Sequence, residues 1–297
     1  MKSIRFRNTR FQEAIAAYIL LAPDILGLTL VYVGPILYTF YLAFYSWNGI
    51  SPQKTYVGFA NFAILFQDPI WLKSVIVTIN YVLLYVPLII GGALGLALLI
   101  NSKLPEAKIF RTIYFMPIVM PIIVAAIVWQ FIFEPSYGVL NFLFNLFSLP
   151  KHAWLGSQNE ALFSVVIVTV WKQLGYFMII FLAGLQDIPR EYLEASAVDG
   201  ATPFQRFRFI TLPLLKPTLV FVLVINVIGA LQDFDQIYVL TRGGPNYATY
   251  VQVYYIYEQA FKFLRMGTAS SASVVLFSAI LLVSLLQLRI LRGGRYD

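Results

Sequence analysis

Polar and apolar positions alternate in this chain on the scale of whole segments. Six apolar runs, at about 14–45, 71–100, 111–133, 161–184, 217–240 and 267–290, are separated by connectors that collect charges, prolines and glycines. Each run approaches or exceeds the ~20 residues a helix needs to cross the hydrocarbon of a bilayer. The pattern predicts an all-α integral membrane protein with six transmembrane helices. The runs are not uniform. Pro23, Gly27, Gly34 and Pro35 predict bends in the first. The second carries Gly91, Gly92, Ala93, Gly95 and Ala97, small residues that let helices approach closely. The third holds Pro117 and Pro121. Asn61–Phe66, in the connector before the second run, reads as an interfacial helix on the outer surface. Residues 1–13 form a basic arm with Lys2, Arg5, Arg7 and Arg10, and 14–297 read as a single transmembrane domain. The first run outlasts the ~7–15 residues of a signal-peptide core, so it is expected to be retained as a span.

The connector at 185–216 is the one with the clearest local grammar. Pro189 suits a first helical position, and Arg190, Glu191 and Glu194 suit a surface helix that ends at Asp199-Gly200. Glycine there permits the left-handed conformation that closes a helix C-terminus. A second helix then starts with Thr202 as N-cap, Pro203 as first residue and Gln205 reaching back to the cap, and Leu212-Pro213 is expected to end it. Two short helices and a corner thus lie outside the membrane between two spans. Glu194-Ala195-Ser196, three residues, Gly200, nine residues, then Ile210-Thr211-Leu212-Pro213 resemble the EAA loop of the membrane subunits of binding-protein-dependent ABC importers. Ser196 departs from that pattern, which has alanine there. Serine is also small, so close helix approach is expected to survive.

Further stretches widen the likeness. Gly58–Phe62, Phe110-Arg111-Thr112 through Pro117 to Trp129, Tyr137–Asn141, Phe234–Tyr238 and Gly243-Gly244-Pro245 look like the carbohydrate branch of these permeases, as in those for oligosaccharides or glycerol phosphate. The resemblance runs from about residue 15 to 290. It implies one N-terminal helix before a five-helix core, and a cytoplasmic loop at 185–216 that docks on an ATPase subunit. The residues facing that partner would be Glu191, Glu194, Ala195, Ser196, Asp199, Gly200, Ala201, Gln205, Arg206, Leu212 and Pro213, with Glu194 holding the corner by pairing with an arginine or a backbone amide. It implies as partners a second permease subunit in a heterodimer, two ATPase subunits, an extracellular or periplasmic solute-binding protein and a carbohydrate substrate. The location implied is a bacterial-type cytoplasmic membrane.

Composition agrees with a membrane class. Hydrophobic residues make up 60% of the chain and charged ones 12%, against ~25% charged in soluble domains. The net charge of +7 could suggest nucleic acid, but its distribution sets topology instead. With six spans, fourteen of the 21 cations, Lys103, Lys108, Arg206, Arg208, Arg292 and Arg295 among them, fall on the side of the 185–216 connector, and six on the other. The positive-inside rule makes the first side cytoplasmic, with both termini there. The absence of cysteine and a single histidine, His152, exclude thiolate and multi-histidine metal sites. No G-x-x-x-x-G-K-[ST] motif occurs, so ATP and magnesium are expected on a separate subunit and no cofactor on this chain.

No grouping of residues suggests catalysis. What stands out is polar side chains at membrane depth, costly there unless they face a cavity or a partner. Lys172 and Gln173 are the sharpest case, with Asp233 and Asp235 as possible acidic partners for the lysine. Two roles fit. These groups line a path where Trp171, Tyr176 and Tyr85 stack on sugar faces, or they form structural pairs between helices. Asn80, Gln130 and Asn226 carry the same two readings. A rival function, an ion-gradient-driven secondary transporter or channel, would use Lys172, Asp233 and Asp235 as its relay. Arg242–Pro245 reads as an outer turn or a contact for the binding protein.

Overall fold

The computed structural model describes residues 5–101 and 107–292. Lys2, Lys103 and Arg295 of the charge pattern lie outside the described residues. Helix α1 (Arg5–Leu28) continues the basic arm directly into the first apolar run. A π-helical turn, Thr29–Val33, joins it to α2 (Gly34–Leu42). Pro35 cannot donate to the ladder, and the amide of Gly34 reaches one residue further than usual, to the Thr29 carbonyl. A two-residue antiparallel ribbon follows, β1 (Tyr45–Ser46) on β2 (Thr55–Tyr56), with Tyr45 opposite Tyr56. Helix α3 (Ala60–Gln67) sits where the interfacial helix was expected, and α4 (Pro69–Asn101) covers the second run and slightly more.

The third run is not a straight span. It divides into α5 (Ala107–Val119) and α6 (Ile122–Ile132), whose axes meet at 102°. Pro121 has no N–H and starts the second piece from an extended backbone (φ −56°, ψ 137°). Helix α7 (Val139–Leu146) and a 3-10 turn at Trp154–Gly156 lie in the next connector. Helix α8 (Ala161–Gln186) is the fourth run, continuous throughout. After it come α9 (Arg190–Val198), α10 (Pro203–Arg206), a π-helical turn at Phe207–Thr211 and α11 (Leu212–Leu214). Helix α12 (Lys216–Leu231) leaves at 68° to the preceding helical stretch. The fifth run, expected to 240, breaks after Leu231. Phe234 is non-helical (φ −135°, ψ −48°), and α13 (Asp235–Leu240) restarts with an acid in its first turn, favourable to the helix dipole. Last come α14 (Gln252–Tyr257), a π-helical turn at Glu258–Lys262 and α15 (Met266–Arg292). By length and composition four helices can cross a membrane, or up to six if each bent pair is one span.

Contacts divide the chain into two compact units, one made of the chain to Leu65 with Gln259–Val275, the other of Phe66–Glu258 with the chain from Leu276. In the first, buried Asn61 donates to the carbonyls of Ala43 (2.9 Å) and Tyr45 (3.0 Å). The Met266 amide bonds the Trp47 carbonyl at 2.9 Å. None of the apolar window within Glu13–Leu42 is buried. The second unit has its core where α4 packs on α8 and α12, around Tyr81, Tyr85, Ile89, Val165 and Phe181. Gly184 lets α8 lie close to α12, since a Cβ there would sit 2.4 Å from Thr218 Oγ1.

Candidate functional site

The elbow between α8 and α12 is built by two interlocking caps. Gly200 takes φ +78°. That lets the Ala201 amide reach the Ser196 carbonyl (2.9 Å) and the Gly200 amide the Ala197 carbonyl (3.2 Å), the paired bonds of a Schellman closure. Two residues on, the Gln205 amide donates to Thr202 Oγ1 (3.3 Å) and the Thr202 amide to Gln205 Oε1 (2.8 Å), so the expected capping box is present. The corner is therefore satisfied by its own backbone and two side chains. Ser196 is buried and bonds the Leu193 carbonyl at 2.9 Å, so its hydroxyl fits within its own helix. Glu191, Glu194, Ala195, Asp199 and Gly200 are exposed, and so are Gln205 and Pro213, whereas Ala201, Arg206 and Leu212 are half-buried. Val198 (89%) and Phe204 (74%) present apolar surface to the outside.

Three expectations for the elbow are corrected. Pro189 precedes α9 as its extended capping residue (ψ 131°) and is not its first helical residue. Leu212-Pro213 does not end the second helix. The π-helical turn absorbs the missing Pro213 amide, and the chain stays helical to Leu214 before turning at buried Leu215. Glu194 makes no hydrogen bond or ion pair among the described residues. It lines a cavity of about 570 Å³ with Arg111 and Arg190.

The intramembrane candidates separate into distinct places. The Tyr85 hydroxyl shares its one proton between Gln173 Oε1 (3.1 Å) and Asn226 Oδ1 (3.0 Å), and Asn226 Nδ2 donates to the Val222 carbonyl (2.8 Å). Tyr81 lies one helical turn before Tyr85, stacked on it at 5.8 Å, and bonds Asp233 and Thr169. These groups knit α4, α8 and α12 together. Lys172 meets neither Asp233 nor Asp235. Its Nζ donates to the carbonyls of Met120 (2.7 Å), Ile118 (3.3 Å) and Pro117 (3.4 Å), at the break between α5 and α6. Trp171 packs edge-on against Trp129 at 5.5 Å. Gln130 Nε2 donates to the Val239 (2.9 Å) and Leu240 (3.3 Å) carbonyls and so caps α13. Tyr176 and Asp235 are exposed. Asn80 lies apart, lining a cavity of about 420 Å³ with Gln158, Asn159 and Phe163. Tyr81, Thr169 and Gly175 escaped the sequence reading. The i, i+4 spacing of Tyr81 and Tyr85 was the available signal.

In the connector after α13, Arg242 (φ 51°) and Gly243 (φ 80°) make the expected turn, closed by Thr249 Oγ1 on the Gly244 carbonyl at 2.9 Å. Nearby Tyr250 donates to Glu258. Burial, with that carboxylate beside it, pushes the Tyr250 phenol well above its ordinary range.

Comparison with known proteins settles the family. Residues 60–293 match the model of the binding-protein-dependent transport system inner membrane component. The chain belongs to this family. Among relatives of this permease, the sulfoquinovosyl glycerol transport system permease protein SmoG of Agrobacterium fabrum is 35% identical, over 94% of this chain and 91% of that one. The trehalose/maltose transport system permease protein MalF of Thermococcus litoralis is 32% identical, over 97% and 96%. A chain in the crystal structure of a bacterial ABC transporter involved in importing the acidic polysaccharide alginate has the same fold. Its TM-score is 0.86 at 24% identity, covering 97% of this permease and 99% of that chain. The protein is therefore an ABC-importer permease subunit, a multi-pass component of the inner membrane.

Proposed function

We propose that this permease forms half of the membrane path of an ATP-driven carbohydrate importer and that the elbow at 185–216 is where two ATPase subunits act on it and its partner. The observation that carries the reading is the doubly capped corner at Asn-free, glycine-closed Ser196–Gln205, a stiff protrusion with exposed Val198 and Phe204 between two long apolar helices. A corner whose bonds are all local transmits displacement instead of absorbing it, and alternating access then takes the form of rigid-body movement of the attached helices. No nucleotide-binding motif occurs in the chain, so the energy comes from another polypeptide. The carbohydrate assignment is supported by the substrates in the names of its relatives, trehalose/maltose and sulfoquinovosyl glycerol.

In this scheme the bent pair α5–α6, and α12 together with the helical stretch Pro203–Leu214 before it, complete six spans, both termini are cytoplasmic, and a solute-binding protein delivers substrate at the outer connectors. A second, different permease subunit supplies the other half of the path. The ion-gradient rival is disfavoured by one feature: Lys172 is engaged by carbonyls and Asp233 by Tyr81, so the lysine meets neither acid of the relay. The deciding experiment is affinity purification of the tagged permease from its native membrane. An ATPase subunit is expected to co-purify and to be lost when Val198 and Phe204 are replaced by aspartate. Retention of the same ATPase by that variant, or purification of the wild type without one, would overturn the reading.

A further inference from the structure

A helix that stops at membrane depth leaves its last carbonyls without partners, which hydrocarbon does not tolerate. Helix α5 stops in this way, because Pro121 cannot donate and α6 departs at 102°. One turn of α8 meets the break from end to end. Trp171 packs against Trp129 on α6. Lys172 Nζ sits among the Pro117, Ile118 and Met120 carbonyls. Gly175 admits the α5 backbone so closely that a Cβ would lie 2.0 Å from the Tyr114 carbonyl oxygen. Gly175 is the helical neighbour of both Trp171 (i, i+4) and Lys172 (i, i+3).

We infer that Lys172 is a positioning residue, a tethered cation that fills the carbonyl cup at the end of α5 and thereby fixes the angle of the broken span. Half-helix C-termini in transporters attract cations for the same electrostatic reason, and here the cation is supplied by the neighbouring helix. Because α8 runs on to Gln186, directly before the elbow, Lys172 ties the broken span to the segment that the elbow would move. The transport part of this inference rests on the proposed function, whereas the geometric part does not.

The test uses the cysteine-free chain, which allows spin labels at Ile113→Cys on α5 and Ile127→Cys on α6, both exposed positions. In the purified assembly in lipid vesicles, with any partner cysteines replaced, the label-to-label distance is expected to be narrowly distributed. It should broaden and lengthen in Lys172→Met and return to the original distribution in Lys172→Arg. Maximal uptake in Lys172→Met should fall about tenfold, equivalent to about 1.4 kcal/mol, with KM for the loaded binding protein unchanged. An unchanged distance distribution in Lys172→Met would overturn the inference, as would a raised KM at full maximal rate, the mark of a substrate contact. If Lys172→Met fails to assemble, Lys172→Gln is measured in its place. Broadening there supports the inference and a wild-type distribution overturns it. Absence of ATP-driven uptake in the wild type would sink the proposed function and leave the distance measurement to decide the geometry alone.

Discussion

Gly200 and Gly175 are both glycines at critical places, and they are needed for opposite reasons. At Gly200 a Cβ would meet nothing within 4 Å, so space is free, but φ is +78°. At Gly175 the backbone is ordinary helix and the space is already occupied by the Tyr114 carbonyl. A substitution at Gly200 therefore tests conformation alone. An L-residue in the left-handed region costs about 1–2 kcal/mol, and asparagine tolerates that region better than a β-branched residue does. Gly200→Val is expected to reshape the corner, so the assembled complex keeps ATP hydrolysis but loses most substrate uptake, while Gly200→Asn keeps both. Parallel uptake and ATPase assays check this. Full uptake and full substrate-stimulated hydrolysis in Gly200→Val would mean that the corner transmits nothing.

Between elements, the close approach of α8 to α5 through Gly175 is the contact least able to relax, because the obstacle is backbone. Gly175→Ala is expected to force the helices apart and lower the thermal inactivation midpoint of the purified complex, a loss of about 1–3 kcal/mol or more. Gly91→Ala on α4, where a Cβ meets nothing within 4 Å, should stay within about 0.5 kcal/mol of the parent. Equal midpoints for the two variants would refute the packing argument. The contrast also marks how far the sequence could be read. The elbow was legible because its caps are local: Thr202, Gln205 and Gly200 act on amides within a few residues. All six runs showed as apolar segments from length, but the breaks within the third and fifth did not. Pro121 was visible, whereas the 102° angle depends on a lysine 51 positions later bonding main-chain carbonyls, which leave no side-chain signature. Asp233 was misassigned as a partner for Lys172 for the same reason, since its actual partner Tyr81 is set by how α4 packs on α12.

For the whole molecule, the asymmetry of positive charge predicts which end of every helix faces the cytoplasm. Fourteen of 21 cations share a side with the elbow under the six-span topology. Orientation follows lysines and arginines near span ends. Each bent pair must then count as one crossing: α8 alone separates α7 from the elbow, so if α5–α6 did not cross, α7 would lie in the cytoplasm and the elbow outside. The chain's lack of cysteine makes this measurable. Val198→Cys on the elbow, 89% exposed, and Tyr137→Cys before α7, 69% exposed, report on opposite faces. In cells whose inner membrane is intact and accessible from outside, a membrane-impermeant maleimide is expected to label Tyr137→Cys and to spare Val198→Cys until the membrane is permeabilised. The reverse pattern would place the elbow outside, beyond the reach of any cytoplasmic ATPase. Labelling of both before permeabilisation would show that α8 does not separate the two sites, and the six-crossing count would be wrong.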